Sequence, residues 1–179
     1  MGITTTPLLD PQQLHRIESV HRGFLYQHLY AVAWLLSAQS AGAISIVIER
    51  DEDLEITFPN HRIYIQVKTR STNLTPSDLK SAFQRFDKLR LEHTEKRRHG
   101  SASFLVVSNI APGPVLLARL KSDEWPSDVE VHWPDNSGPT DKVPVAPKSD
   151  LSKALCQCAE IAASLPYSVI APETLVWKL

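Results

Sequence analysis

The longest hydrophobic pattern in the chain lies between Arg16 and Gln39, where Phe24, Leu25, Leu29, Val32, Ala33, Leu35 and Leu36 recur at helical spacing. It predicts one long helix with a broad apolar face, and Gly23 marks a kink or a start inside it. The run "AGAISIVIE" then predicts a strand over 44–49. Two alternating segments predict strands over 53–58 and 61–68, joined at Pro59-Asn60. In "TPSDLKSAFQRF" the start signals of a second helix are complete: Thr75 can cap, Pro76 takes the first helical position, and Asp78 sits near the positive end of the dipole. Leu79, Ala82, Phe83, Phe86 and Leu89 form its buried stripe. The continuous apolar run "SFLVVSN" reads as a strand covered on both faces. A short helix over 114–121, a strand in "DVEVHW", a helix in "DLSKALCQCAEIAASL" and a last strand in "YSVIA" complete the pattern. In that late helix Leu151, Ala154, Leu155, Cys158, Ala162 and Leu165 are in register. Residues 1–15, with Pro7 and Pro11, read as a loose arm, and 134–149 as a Pro-rich loop.

The order is α-β-β-β-α-β followed by a mixed α/β extension, which implies an α/β fold with a small mixed sheet flanked by helices. At 179 residues, 42% hydrophobic, the chain suits one domain spanning 1–179. Its final "PETLVWKL" starts like a helix and stops on apolar residues, which suggests the N-terminal part of a longer protein. The formal net charge of −1 excludes a global basic field, so any nucleic-acid binding must come from local patches. Cys156 and Cys158, two apart on a helix, point to different faces and do not share a metal. They read as reduced thiols, Cys158 the more buried. With no basic, apolar leader and no apolar run long enough for a bilayer, the expected location is the cytoplasm, with no membrane partner.

The chemistry gathers in "IERDEDLEITFPNHRIYIQVKTR". Residues 49–55 hold five acids and one base, a net of −4 in seven residues, which is repulsive unless a cation is near. If Pro59 and Asn60 are the central residues of the turn, Phe58 pairs with His61 and Asp53 falls across from Gln66. Leu54, Ile56, Phe58, Ile63, Ile65 and Val67 then share one face. A slip of one residue would set apolar against polar throughout; an offset by two, or a bulge, is the alternative that proline invites. On the other face Asp53, Gln66 and Lys68 converge at the hairpin's base, with Glu49 beside them if its strand joins the sheet. A carboxylate and an amide oxygen are hard ligands suited to Mg²⁺, and the Val67 carbonyl lies between them in sequence. A lysine there can orient water or stabilise developing negative charge. The bland alternative is a solvated hairpin face with cross-strand ion pairs.

An acid at one strand's start, a following strand ending Asp/Glu/Gln-x-Lys, one helix before and one after: this order resembles the PD-(D/E)XK nuclease superfamily. "GFLYQHLYAVAWLL", "IERDEDLEI" and "IYIQVKT" together resemble, over roughly residues 20–110, the dsDNA endonuclease effector domain of bacterial anti-phage proteins. Such domains stand at the N-terminus of CD-NTase-associated (CBASS) effectors and of some STAND-type immune NTPases. The resemblance implies a restriction-endonuclease-like core with Asp53, Gln66 and Lys68 as the catalytic trio. It implies Mg²⁺ or Mn²⁺ held by Asp53, Gln66, the Val67 carbonyl and Glu49, with Gln27 as an auxiliary residue. It further implies double-stranded DNA as substrate, a dimer or larger assembly, and sensor or NTPase regions as partners. Two departures stand out: Glu52 occupies the place of the superfamily's proline, and Gln66 that of its second acid. Asp51 shares the parity of Asp53 and is an alternative ligand.

For DNA contact the candidates are Arg70, Lys88, Arg90, Lys96, Arg97 and Arg98. The segment 85–99 holds six bases against three acids, and phosphate contacts need only such charges. A solvated helix end explains the same charges. The rival functions are a nuclease fold that has lost catalysis and only binds nucleic acid, and an oligomerisation module.

Overall fold

The computed structural model describes residues 11–136, 143–166 and 170–179, and the side chains of residues 11, 14 and 15 are outside that description. A 31-residue helix, α1 (Pro11–Ala41), leads into three antiparallel strands, β1 (Ser45–Ile48), β2 (Leu54–Phe58) and β3 (His61–Lys68). Helix α2 (Pro76–Thr94) then crosses over to β4 (Ser101–Ser108), parallel to β3. Helix α3 (Pro114–Leu120) leads to β5 (Val129–His132), parallel to β4, and α4 (Leu151–Ala163) and α5 (Pro172–Lys178) follow. The result is a mixed five-stranded sheet in the order β1-β2-β3-β4-β5 with helices on both faces, as the α-β-β-β-α-β reading anticipates. The α/β extension adds its strand to the edge of that same sheet.

Strand alternation sets the two faces. Leu54, Ile56, Ile65, Leu105 and Val107 point to α1, where Tyr26, Tyr30 and Trp34 cover them. These three aromatics sit four residues apart and so line one stripe of the helix. Tyr64, Phe104, Val106, Val129 and Val131 point the other way, to Leu79, Ala82, Phe86 and Leu89 of α2 and Leu116 of α3. β4 is therefore buried on both faces, as its unbroken apolar run requires. Helix α4 packs on the far side of α1 through Ala154, buried Cys158 and Ala162, while Cys156 is exposed.

Four expectations need correction. Helix α1 begins at Pro11, not Arg16: proline there occupies the first helical turn, where a missing N–H costs nothing, so the segment 11–15 belongs to the helix and not to an arm. Residues 1–10 lie outside the described residues. On α1, Leu29, Val32, Ala33 and Leu36 are buried in the cluster with α4 as expected, but Phe24, Leu25 and Leu35 are about half exposed, and the contact with the sheet is made by the Tyr26-Tyr30-Trp34 stripe. Gly23 does not interrupt the helix; a Cβ there would lie 3.1 Å from Thr69 Oγ1, so the glycine lets α1 approach the end of β3. Of the strand expected in "YSVIA", 167–169 lie outside the described residues, and Ile170 and Ala171 are not in a strand. Among the described residues no helix is long and apolar enough to cross a membrane.

Candidate active site

The β2–β3 register is the one that the Pro59-Asn60 turn implies: Phe58 pairs with His61 and Leu54 with Ile65. One step further, β2 has ended, and the Val67 N–H meets a side chain where a strand carbonyl would have been. Asp53 Oδ2 accepts that N–H at 2.7 Å and also a hydrogen bond from Gln66 Nε2. The aspartate thus closes the hairpin's base in place of a further ladder bond. The preceding turn is tight, with the Glu49 N–H donating to the Asp53 carbonyl at 3.0 Å. Glu49 has φ 55°, a left-handed conformation that strains a side chain of its kind.

Helices reach this base from both faces of the sheet. From α1, Gln27, buried, donates through Nε2 to Glu49 Oε1 at 3.4 Å. The two auxiliary residues expected from the sequence therefore touch each other. From α2, Arg85 forks onto Glu52, with Nε to Oε1 at 2.8 Å and Nη2 to Oε2 at 3.1 Å. Sequence reasoning missed this pair. Glu52 drew notice only as a stand-in for proline, and nothing in the sequence links it to a residue 33 positions on.

The electrostatics make these groups one site. Burial raises the Asp53 carboxyl above the usual range, against the pull of the Val67 N–H, the Gln66 amide, Lys68 and Arg85. Lys68 is lowered, chiefly by burial; Asp53 and Glu52 oppose that, and Arg85 and Arg70 add to it. Glu52 is pushed up to about 7 by burial, which outweighs its hydrogen bonds to Arg85. Asp53 and Lys68 each act on the other, and Arg85 acts on Asp53, Lys68 and Glu52, as charges can only at short range. The solvated-face alternative fails here, because Glu52, Glu55 and Gln66 are all buried beneath α2.

The donors present fit a hard divalent cation. Among the described residues Gln66 Oε1 is buried with no hydrogen-bond partner, and an amide oxygen left so costs free energy unless something binds it. It stands beside the Asp53 carboxylate, both being oxygen ligands of the kind such a cation takes. Among the described residues no three His, Cys, Asp or Glu side chains are grouped to hold a metal. The fit therefore rests on a mixed set of one carboxylate and one amide.

The basic candidates divide sharply. Arg90 is held by Asp87 at 2.5 Å and Asp128 at 2.7 Å and lies over the Phe104 ring, so it ties α2 to the strand beneath. Arg98 joins Asp51 at 2.8 Å and the Tyr64 hydroxyl at 3.1 Å, which takes Asp51 away from the trio. Arg97 pairs with Glu92 and Glu95, and Arg70 with Asp78 at 2.7 Å. Lys88 and Lys96 are exposed and make no ion pair among the described residues. Beyond Lys68, a polar cleft of about 360 Å³ opens between Arg22 of α1 and Thr69, Arg70 and Asn109. Its Arg22 is a further basic group that the sequence did not single out.

A helix, three antiparallel strands, a second helix and a parallel strand, with Asp53 and Gln66-Val67-Lys68 meeting at the strand ends, define the nuclease-type α/β domain of the PD-(D/E)XK class. The comparison with family models agrees. Residues 18–112, just over half of the chain, match the family described as Cap4, dsDNA endonuclease domain. The chain belongs to that family, a CBASS effector domain of the PD-(D/E)XK type. No curated protein and no solved structure matches it.

Proposed function

We propose that this domain is a metal-dependent endonuclease that hydrolyses phosphodiesters of double-stranded DNA in anti-phage defence. The observation that carries the reading is the meeting of Asp53, Gln66 and Lys68 at the hairpin's base, with the Gln66 oxygen buried and unpartnered. Asp53, Gln66, the Val67 carbonyl and Glu49 would hold Mg²⁺ or Mn²⁺. The cation would neutralise charge on the phosphate and lower the pKa of water.

This chain's own residues do the rest. Lys68, its charge drawn toward Asp53, faces the developing negative charge and orients the attacking water. Gln27 fixes Glu49 by its hydrogen bond, and the Val67 N–H fixes Asp53. Lys88, Lys96, Arg70 and Arg97 offer salt-sensitive phosphate contacts. Arg90, which ties α2 to Asp128 over the Phe104 ring, and Arg98, which ties Asp51 to Tyr64 through Nη1, act mainly on the fold.

Because both strands of a duplex must be cut, two such domains must act together, in a homo-oligomer brought about by sensor or NTPase regions. The test is plasmid cleavage in Mg²⁺ by the parent chain, Asp53→Ala and Lys68→Ala. Loss of cutting in both variants supports the reading. Equal cutting by all three removes it.

A further inference from the structure

We infer that Arg85, clamped by Glu52, is a phosphate contact of the cleavage site: it grips the DNA backbone beside the scissile bond. The inference rests on the endonuclease reading above. Its basis is the way the guanidinium is held. Glu52's side chain is fully buried, at 0% exposure, while Arg85's is 42% exposed. Both carboxylate oxygens are taken by one edge of the guanidinium, through Nε and Nη2. Of the five N–H groups of an arginine, two are used and three remain on the exposed side.

A buried carboxylate paired in this way is a poor source of stability, because desolvation offsets the attraction. What the pair does fix is position. It pins a planar cation at the residue next to Asp53, and a planar fork is the geometry that phosphate oxygens accept. Arg90 and Arg98 differ in this respect. Arg90 is divided between two acids, and Arg98 is committed to Asp51 and Tyr64 at 22% exposure. Lys68 carries the other cation of the site, so two positive groups flank Asp53, one from β3 and one from α2.

Arg85→Gln alone would leave Glu52 buried and unpaired and could unfold the chain, so the informative variant is Glu52→Gln/Arg85→Gln. Binding of a labelled mixed-sequence duplex is measured in EDTA across a salt series, beside thermal melting. If Arg85 only neutralises Glu52, the double variant binds like the parent. If it contacts phosphate, the double variant melts like the parent but binds more weakly, and its log K against log salt slope is smaller by about one. An unchanged slope and affinity overturn the inference.

Arg85→Lys keeps the charge and gives a second test. It should raise KM about tenfold with melting unchanged, because a lysine cannot form the fork; an unchanged KM overturns the proposal. A parent chain that shows no salt-sensitive duplex binding removes the nuclease reading as well. A parent that binds and cleaves while both Arg85 variants match it removes this inference alone.

Discussion

At the turn of the β2–β3 hairpin, the His61 ring nitrogens lie 2.8 and 2.9 Å from the Ser101 and Ser103 hydroxyls, and the Asn60 carbonyl receives the Ser101 N–H at 3.0 Å. At the base of the same hairpin the polar groups are left tense. Gln66 Oε1 has no partner among the described residues, the Asp53 carboxyl is raised, Lys68 is lowered, and Glu49 sits at φ 55°. One hairpin thus has a settled end and an unsettled end. Unpaired buried polarity and backbone strain persist where another requirement maintains them, and a site that must bind something is such a requirement. Under the proposed function, the turn end stabilises the fold and the base end acts.

The comparison can be broken in four ways. The largest effect should come from the base. Asp53→Ala and Lys68→Ala should each lower cleavage by about 10²–10³-fold, as removal of an electrostatic partner of a transition state does, while melting moves by only a few degrees. A collapse of melting instead would make the base structural.

Next comes Glu55, which is as buried as Gln66 but sits in a buried ion pair: Arg62 donates to its Oε1 at 2.6 Å, while among the described residues its Oε2 has no hydrogen-bond partner. Glu55→Gln should cost about 1–3 kcal/mol in urea unfolding and leave the folded chain's cleavage rate intact. A buried acid two residues from Asp53 would then be shown to hold the fold and nothing more.

The settled end is tested by Gly100→Ala. Gly100 has φ 82°, and an added Cβ would sit 2.6 Å from the Asn60 carbonyl oxygen. The variant should lose about 1–2 kcal/mol from the left-handed backbone alone, again without a specific loss of cleavage.

The smallest effect is one of pH. Asp78, the third residue of α2, reaches back with Oδ2 to the Thr75 N–H at 2.9 Å and hydroxyl at 2.7 Å. Those bonds and Arg70 lower its carboxyl to about 2, against 3.8 ordinarily. A carboxyl depressed in the folded chain stabilises it above pH 4, and that contribution is lost as pH falls toward 2. Asp78→Asn should therefore melt below the parent at pH 6, and the gap should close by about pH 2.

Local signals were legible in the sequence and distant pairings were not. The bounds of β3, the Phe58–His61 register and the start of α2 at Pro76 follow from alternation, turn residues and capping, which act over a few residues. The meeting of Asp53, Gln66 and Lys68 follows from that register. The buried face of α1 does not, because a helix apolar on most sides offers several plausible stripes. Only contact with the sheet selects Tyr26, Tyr30 and Trp34 over Phe24, Leu25 and Leu35. Nor does the sequence reveal which acids from other elements the arginines along and after α2 meet: Asp128 for Arg90, Asp51 for Arg98 and Glu52 for Arg85. Such pairs span 33 to 47 positions, and no short-range pattern records them.

The most direct test of the account is a crystal of the chain soaked in Mn²⁺, with the ion located by its anomalous scattering. The account predicts a peak bonded to an Asp53 carboxylate oxygen, Gln66 Oε1 and the Val67 carbonyl, absent from Asp53→Ala crystals. A strong peak elsewhere, or a base that stays empty while Gln66 Oε1 keeps its buried position, would contradict it.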